Sequence, residues 1–294
     1  MENKMKVCGI QMGPYPGDSK RNWYKIEKIF EEVMVKESPN LIVFSELMTT
    51  PYFATKRNEN FFKEFSETME GETVQKCMNL SLTYNTHVIG TLFEEEPKVE
   101  NSNYYNSAFV CSPTKGLIGK YRKVHLPKVI SKSLTTDEKF YFEQFGSGGD
   151  EFPVFTLDNG FKIGILICFD RSFPEAWRSL SSQGVDLVVI PTATFGFRKD
   201  LFVQELRIRA MENNVYVLGV NKSGEESMKD EPTVRNHFGA SCIIDPFGDV
   251  INELSDDIWT YLTSEIDLES SKLSKDRVNW LSERKPEIYN KYIT

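Results

Sequence analysis

The sequence is poor in the residues that build metal and disulfide sites. Its 294 residues hold three histidines and five cysteines. Cys8, Cys77, Cys111, Cys168 and Cys242 are odd in number and widely spread, and no C-x-x-C pair occurs. Neither a disulfide framework nor a thiolate zinc site is expected. His87, His125 and His237 stand far apart and H-E-x-x-H is absent, so no metal centre is expected. No apolar run approaches the roughly 18 residues of a membrane span, and the charged start Met1 to Lys6 leads into a strand rather than a targeting segment. Basic residues are scattered, the formal net charge is −8 and the pI is about 5.2, which leaves no basic footprint for nucleic acid. Gly146, Gly148 and Gly149 lack the lysine and the strand-to-helix setting of a phosphate loop and read as a mobile loop. The expectation is a cytoplasmic protein that binds neither nucleic acid nor membrane.

What is there suits a sizeable α/β core. The chain is 40% hydrophobic and 27% charged, without a linker, repeat or low-complexity block, so residues 1–294 read as a single domain. Strand and helix patterns alternate. Lys6 to Met12 is a strand, Asp18 or Ser19 caps a helix with the stripe Trp23, Ile26, Phe30, Val33 and Met34, and Leu41 to Phe44 is a short buried strand. Later strands are expected over Val88 to Phe93, Tyr105 to Cys111, Leu117 to His125, Lys162 to Ile167, Val185 to Ile190 and Val215 to Val220. Glu94 to Glu100 reads as an exposed hairpin tip, Asp158-Asn159-Gly160 as a hairpin turn, and Val129 to Glu151 as an irregular, charge-rich stretch fit for part of an active site. The polar stretch 268–294 reads as a C-terminal tail docking on the domain or on a partner subunit.

One segment carries chemistry. In Ile167-Cys168-Phe169-Asp170-Arg171-Ser172-Phe173-Pro174-Glu175 a buried strand delivers a cysteine to the start of a helix, with Ser172 and Glu175 at capping-box spacing. Unpaired N–H groups there are expected to lower the thiol pKa and stabilise negative charge. A buried structural cysteine fits the segment equally well. A cysteine nucleophile also needs a base and an oxyanion partner. Glu46 ends the buried strand Val43-Phe44-Ser45-Glu46, Lys123 ends another, and His125 is the alternative base.

Together, the strings Leu41-Ile42-Val43-Phe44-Ser45-Glu46-Leu47, Lys120-Tyr121-Arg122-Lys123-Val124-His125-Leu126-Pro127 and Ile167 to Glu175 resemble, in that order, the nitrilase superfamily of carbon–nitrogen hydrolases. The resemblance extends from Gln11 through Glu205-Leu206-Arg207 to Gly239-Ala240-Ser241 and Asp245-Pro246-Phe247-Gly248. It implies a four-layer α-β-β-α sandwich, a homodimer or larger homo-oligomer, and a Glu46–Lys123–Cys168 triad that needs no cofactor. On that resemblance Cys168 is expected to attack a small amide or carbamoyl substrate, Glu46 to move protons, and Lys123 with the N–H of Phe169 to hold the oxyanion. A second glutamate that orients substrate beside the lysine is assigned to Glu143, in Tyr141-Phe142-Glu143-Gln144-Phe145-Gly146, with Glu138 the neighbouring alternative. Arg171 resembles the arginine with which N-carbamoyl amino acid hydrolases grip a substrate carboxylate. The string Pro191-Thr192-Ala193-Thr194-Phe195-Gly196 is similar to that of ureidopropionase-like members. Thr194, Phe195, Phe197, Tyr52, His125 and Asn221 are the further candidates for the pocket. The activity implied is hydrolysis of an N-carbamoyl or linear amide through a thioester. An aliphatic amidase, an ω-amidase, a nitrilase and a catalytically silent binding protein of the same fold are the alternatives.

Overall fold

In β1 (Lys4–Gln11) Val7 faces one way while Cys8 and Ile10 face the other, and β2 (Leu41–Phe44) repeats the division with Val43 against Ile42 and Phe44. Strands apolar on both faces need a layer on each side. The computed structural model, which describes residues 3–130, 135–143, 148–228 and 234–292, supplies both layers.

The first sheet runs on through β3 (Ser66–Glu67), β4 (His87–Glu96), β5 (Asn103–Ser112) and β6 (Gly116–Arg122). Strands β1, β2 and β4 are parallel, joined by crossovers that contain α1 (Ser19–Lys36), the short α2 (Asn60–Phe65) and α3 (Glu72–Tyr84). Asp18 caps α1 by accepting the Arg21 N–H at 2.8 Å, and the helix buries Trp23, Ile26, Phe30 and Val33 on the sheet's outer face. Beyond a small hairpin of β7 (Lys128–Ile130) and β8 (Thr135–Asp137), the one-turn helix α4 (Glu138–Phe142) precedes the second sheet. That sheet contains β9 (Val154–Thr156), β10 (Lys162–Ile165), β11 (Leu187–Pro191) and β12 (Tyr216–Val220), the last three parallel. Helices α5 (Pro174–Ser181) and α6 (Lys199–Asn213) cover its outer face through Trp177, Leu180, Phe202 and Leu206. The hairpin β13 (Ser223–Glu226) and β14 (Arg235–Phe238) stands apart, β15 (Cys242–Ile244) and β16 (Val250–Glu253) extend the second sheet, and β17 (Thr260–Asp267) returns to pair with β1.

The inner faces meet through Val7, Val43, Ile89, Val110, Ile163, Ile165, Val189, Leu218 and Val220, which completes the expected α-β-β-α sandwich. A fourth cluster, mainly aromatic, sits off the sheet ends. Phe53, Phe62, Phe93, Tyr141 and Phe142 anchor the loops that carry residues 46–62 and 135–143.

Three local expectations are corrected. The helix after the cysteine starts at Pro174 rather than Ser172, because Cys168–Ser172 forms a 3-10 turn and the residue before a proline is pushed out of helical geometry; Phe173 is extended at φ −106°, ψ 107°. Ser172 and Glu175 therefore form no capping box. Glu94 is not at an exposed tip; β4 runs through it, and the carboxylate is buried against Lys120, Arg122 and Ser107. Gly148 and Gly149 are pressed against the backbone of residues 122–124, where the Gly149 N–H donates to the Lys123 carbonyl at 2.9 Å and a Cβ would lie 2.0 Å from the Arg122 oxygen. The absent side chains admit this close approach; Gly146 lies outside the described residues. In the tail, α7 (Leu268–Arg277) docks on its own chain, with the Ser274 hydroxyl donating to the Pro246 carbonyl and Asn214 donating to Ser274, while α8 (Pro286–Tyr289) stays exposed. Among the described residues no helix is long and apolar enough to cross a membrane.

Candidate active site

Three strand ends converge at one edge of the sandwich. Glu46 follows β2, Lys123 follows β6 and Cys168 follows the stretch after β10, and parallel strands deliver such residues to the same end of their sheets. Glu46 and Lys123 are completely buried, and Cys168 is 8% exposed.

The lysine is the hub. Its Nζ lies 2.8 Å from Glu46 Oε1 and 2.8 Å from Glu138, so one ammonium bridges two buried carboxylates. Burial by itself lowers the Lys123 pKa, but the charges of Glu138 and Glu46 outweigh it and raise the value, keeping the ammonium charged. Glu46 is held on both oxygens: Oε1 also accepts from Asn106 Nδ2 at 2.8 Å, and Oε2 accepts the Ala193 N–H at 2.9 Å. Glu138 Oε1 takes a hydrogen bond from the Tyr52 hydroxyl at 2.7 Å. Burial raises its pKa to about 7, Lys123 opposing and Glu46 adding to the effect.

Cys168 sits in the left-handed region at φ +49°, a conformation that costs an L residue about 1–2 kcal/mol. Asp170 holds the turn. Its Oδ2 accepts the Ile167 N–H at 2.9 Å and the Tyr121 hydroxyl at 2.6 Å, while Oδ1 accepts the His125 N–H at 2.8 Å. Arg171 Nη1 ties the other side to the Cys168 carbonyl at 2.6 Å and lies 3.7 Å from Sγ. The expected lowering of the thiol pKa is reversed: burial, then the Glu46 charge, pushes it up to about 12 against the opposing cations. A one-turn 3-10 segment supplies too small a dipole to overcome desolvation. That upward shift favours the thiol over the thiolate at neutral pH.

The sulfur opens on a cavity of about 150 Å³ lined by Tyr52, Thr136, Phe169, Arg171, Thr194, Phe195 and their neighbours. A dry cavity of that volume holds roughly a benzene-sized molecule. Among the pocket candidates, Tyr52, Phe169, Arg171, Thr194, Phe195 and Phe197 all line it. His125 does not: its ring stacks on Phe173 at 3.6 Å between centroids, and its Nδ1 lies 2.8 Å from Asp170. Asn221 is also behind the wall, fully buried, bracing Thr194 by accepting its N–H at 2.9 Å.

Glu143 is the main correction. It caps the end of α4, its side chain is 44% exposed, and its carboxylate pairs with Lys139 at 2.8 Å. Tyr141 and Phe142 point into the aromatic cluster, so the helix turns Glu138 toward Lys123 and Glu143, five residues later, toward solvent. Sequence reasoning passed over Asn106, Asp170 and Arg198. Asp170 had a legible signal, a carboxylate beside a buried strand end; the other two offered none. Among the described residues no group of three or more His, Cys, Asp or Glu is arranged to hold a metal ion.

The profile of the family described as carbon-nitrogen hydrolase matches residues 6–276. A probable nitrilase of Schizosaccharomyces pombe is 31% identical over 99% of each chain. An N-carbamoylputrescine amidase of Arabidopsis thaliana is 28% identical over 94% of this chain and 91% of its own. Among solved structures, a carbon-nitrogen hydrolase from Helicobacter pylori superposes with a TM-score of 0.87 at 25% identity, over 98% of this chain and 97% of the other.

Proposed function

The chain belongs to the carbon–nitrogen hydrolase family, and from that premise we propose that it is a cysteine-dependent amidohydrolase of small linear amides or N-carbamoyl compounds, with Glu46, Lys123 and Cys168 as its catalytic residues. The observation that carries this reading is the buried bridge of Lys123 between Glu46 and Glu138 at 2.8 Å each, beside a thiol facing a small cavity.

Because Cys168 is protonated at rest, the first step couples attack to proton transfer. Sγ forms a bond to the carbonyl carbon as Glu46 takes the thiol proton. The oxyanion that develops is held by the Lys123 ammonium and the Phe169 N–H. Collapse breaks the C–N bond, Glu46 returns the proton to the departing nitrogen, and ammonia leaves a thioester on Cys168. Water then attacks the thioester, losing a proton to Glu46, which passes it back to the sulfur as the acid is released. With an N-carbamoyl substrate the same two steps yield a carbamate, which decomposes to carbon dioxide and an amine. Glu138 shares the lysine and fixes its position.

The names of relatives support amides, carbamoyl compounds and nitriles to differing degrees, and the S. pombe relative keeps a nitrilase as the second reading. One panel separates them: ammonia release from aliphatic amides, N-carbamoyl amines and nitriles, with intact-mass detection of an acyl adduct. Amide-driven ammonia release with an adduct that vanishes in Cys168→Ala is the expected result. Release from nitriles alone would favour the nitrilase, and neither ammonia nor adduct would leave a binding protein of the same fold.

A further inference from the structure

The hairpin of β13 and β14 belongs to neither large sheet, yet it carries two buried polar side chains that reach the cavity loops. Glu226 on β13 and His237 on β14 are 5% and 1% exposed. Glu226 Oε2 accepts the Tyr52 N–H at 2.7 Å, and Oε1 accepts the Tyr15 N–H at 3.0 Å. His237 Nδ1 lies 3.3 Å from the Thr194 carbonyl, and the His237 backbone forms a β-bridge with Phe195. Between the two side chains, His237 Nε2 stands 3.6 Å from Glu226 Oε2. One hairpin thus grips two separate loops.

Those loops meet in the cavity wall. Tyr52, Thr194 and Phe195 all line the cavity, and the Tyr52 and Phe195 rings meet edge to face with centroids 5.8 Å apart. The His237 ring backs this seam, edge-on to Phe195 at 5.3 Å. Lys222, buried just after β12, steadies the same place: its Nζ donates to the Thr50 carbonyl at 2.8 Å and lies 3.9 Å from Glu226 Oε1. Burial opposes a charge on Glu226, but Lys222 and His237 outweigh it and hold the carboxyl far below its ordinary value. What such a cluster adds over apolar packing is direction, since each oxygen is aimed at a particular backbone N–H.

Resting on the amidohydrolase reading, we propose that the Glu226–His237 pair is a strut that holds the Tyr52–Phe195 seam shut and so limits the site to small amides. Both are positioning residues, and neither lines the cavity. With the strut removed the two rings part, and the wall yields to a larger substrate. A single methylene that a pocket has no room for costs about tenfold to two-hundredfold, so a modest opening has a large effect on selectivity.

The test is alkylation of Cys168, which needs no turnover. Iodoacetamide and its N-phenyl derivative each lose iodide to the sulfur, and their rates, divided by those with free cysteine, give a size ratio. The parent is expected to favour the small reagent by at least about tenfold. His237→Phe keeps a ring against Phe195 and loses both nitrogens, while Glu226→Gln keeps the shape but cannot accept from both backbone N–H groups. Each should lower the ratio by about fivefold or more, with the adduct still confined to Cys168. No adduct or equal rates in the parent, an unchanged ratio in either folded variant, or adducts on the buried Cys8, Cys77, Cys111 or Cys242 would overturn the proposal. His237→Phe leaves Lys222 beside Glu226 and decides the matter alone if Glu226→Gln does not fold. Ammonia release from short amides by the unmodified protein reports separately on the amidohydrolase reading. A lowered ratio without ammonia release would sink that reading and leave the strut.

Discussion

Replacing Glu138 by glutamine should change how stability depends on pH. The carboxyl is buried, and its pKa rises from 4.5 to about 7 in the folded protein, chiefly through desolvation. Between those values the folded protein keeps a proton that the unfolded chain has released. The contribution to stability is therefore complete below about pH 4.5 and is lost as pH rises through about 7. Glu138 shares Lys123 with Glu46, so the proton belongs to the pair, and about 3 kcal/mol is an upper bound on the change that Glu138 brings. The Glu138→Gln side chain would mimic the protonated acid, since its carbonyl can still accept from Lys123 and the Tyr52 hydroxyl, yet it cannot ionise. The variant's stability relative to the parent should consequently rise by up to about 3 kcal/mol between about pH 4.5 and pH 8. Urea unfolding followed by tryptophan fluorescence at several pH values reads this directly, given that Trp177 is fully buried. Glu143→Gln serves as the contrast in stability alone; that side chain is 44% exposed and paired with Lys139, so its loss should cost no more than about 1 kcal/mol. A Glu138→Gln curve parallel to the parent's would refute the placement of a strained acid beside Lys123.

Two further predictions concern the cysteine turn. Ultraviolet thiolate absorbance, taken as the difference between the parent and Cys168→Ala, should show no titration step below about pH 10, because burial pushes the thiol to about 12; a step near pH 8 would mean that the cations dominate. Asp170→Asn should cost about 3 kcal/mol in urea unfolding, since four donors converge on the two oxygens and the amide nitrogen of the variant would face two of them; a loss below about 0.5 kcal/mol would show that the turn holds itself.

The strands were legible because burial on both faces leaves a continuous apolar pattern, as in Leu41–Phe44 and Leu187–Pro191. Glu46 and Cys168 were legible for the same reason, each marking where such a pattern stops, whereas Lys123 follows the half-exposed edge strand β6 and was singled out by the family resemblance. The second glutamate was not. Glu138 and Glu143 share a short charged helix, and only the burial of Tyr141 and Phe142 in a cluster built from residues 53–93 decides which carboxylate turns inward. His125 misled because a histidine at a strand end looks like a base; its stacking on Phe173 depends on a turn that sequence spacing assigned to the wrong helix position.

What sequence could not express is how the two halves hold one another's strain. Cys168 and Leu47, each at or next to a proposed catalytic residue, occupy left-handed backbone at φ +49° and +50°. Neither is held in position by its own segment alone. Asp170 beside the cysteine accepts from Tyr121 and His125 of the first half, and Glu46 beside Leu47 accepts from Ala193 of the second. Each strained turn is thus clamped by hydrogen bonds that cross the sandwich, with partners separated by 45 to 147 positions. A local pattern extends over about 18 residues and carries no record of such pairs. Loosening the contact between the sheets would therefore remove partners from both turns at once, since each turn takes hydrogen bonds from the opposite half.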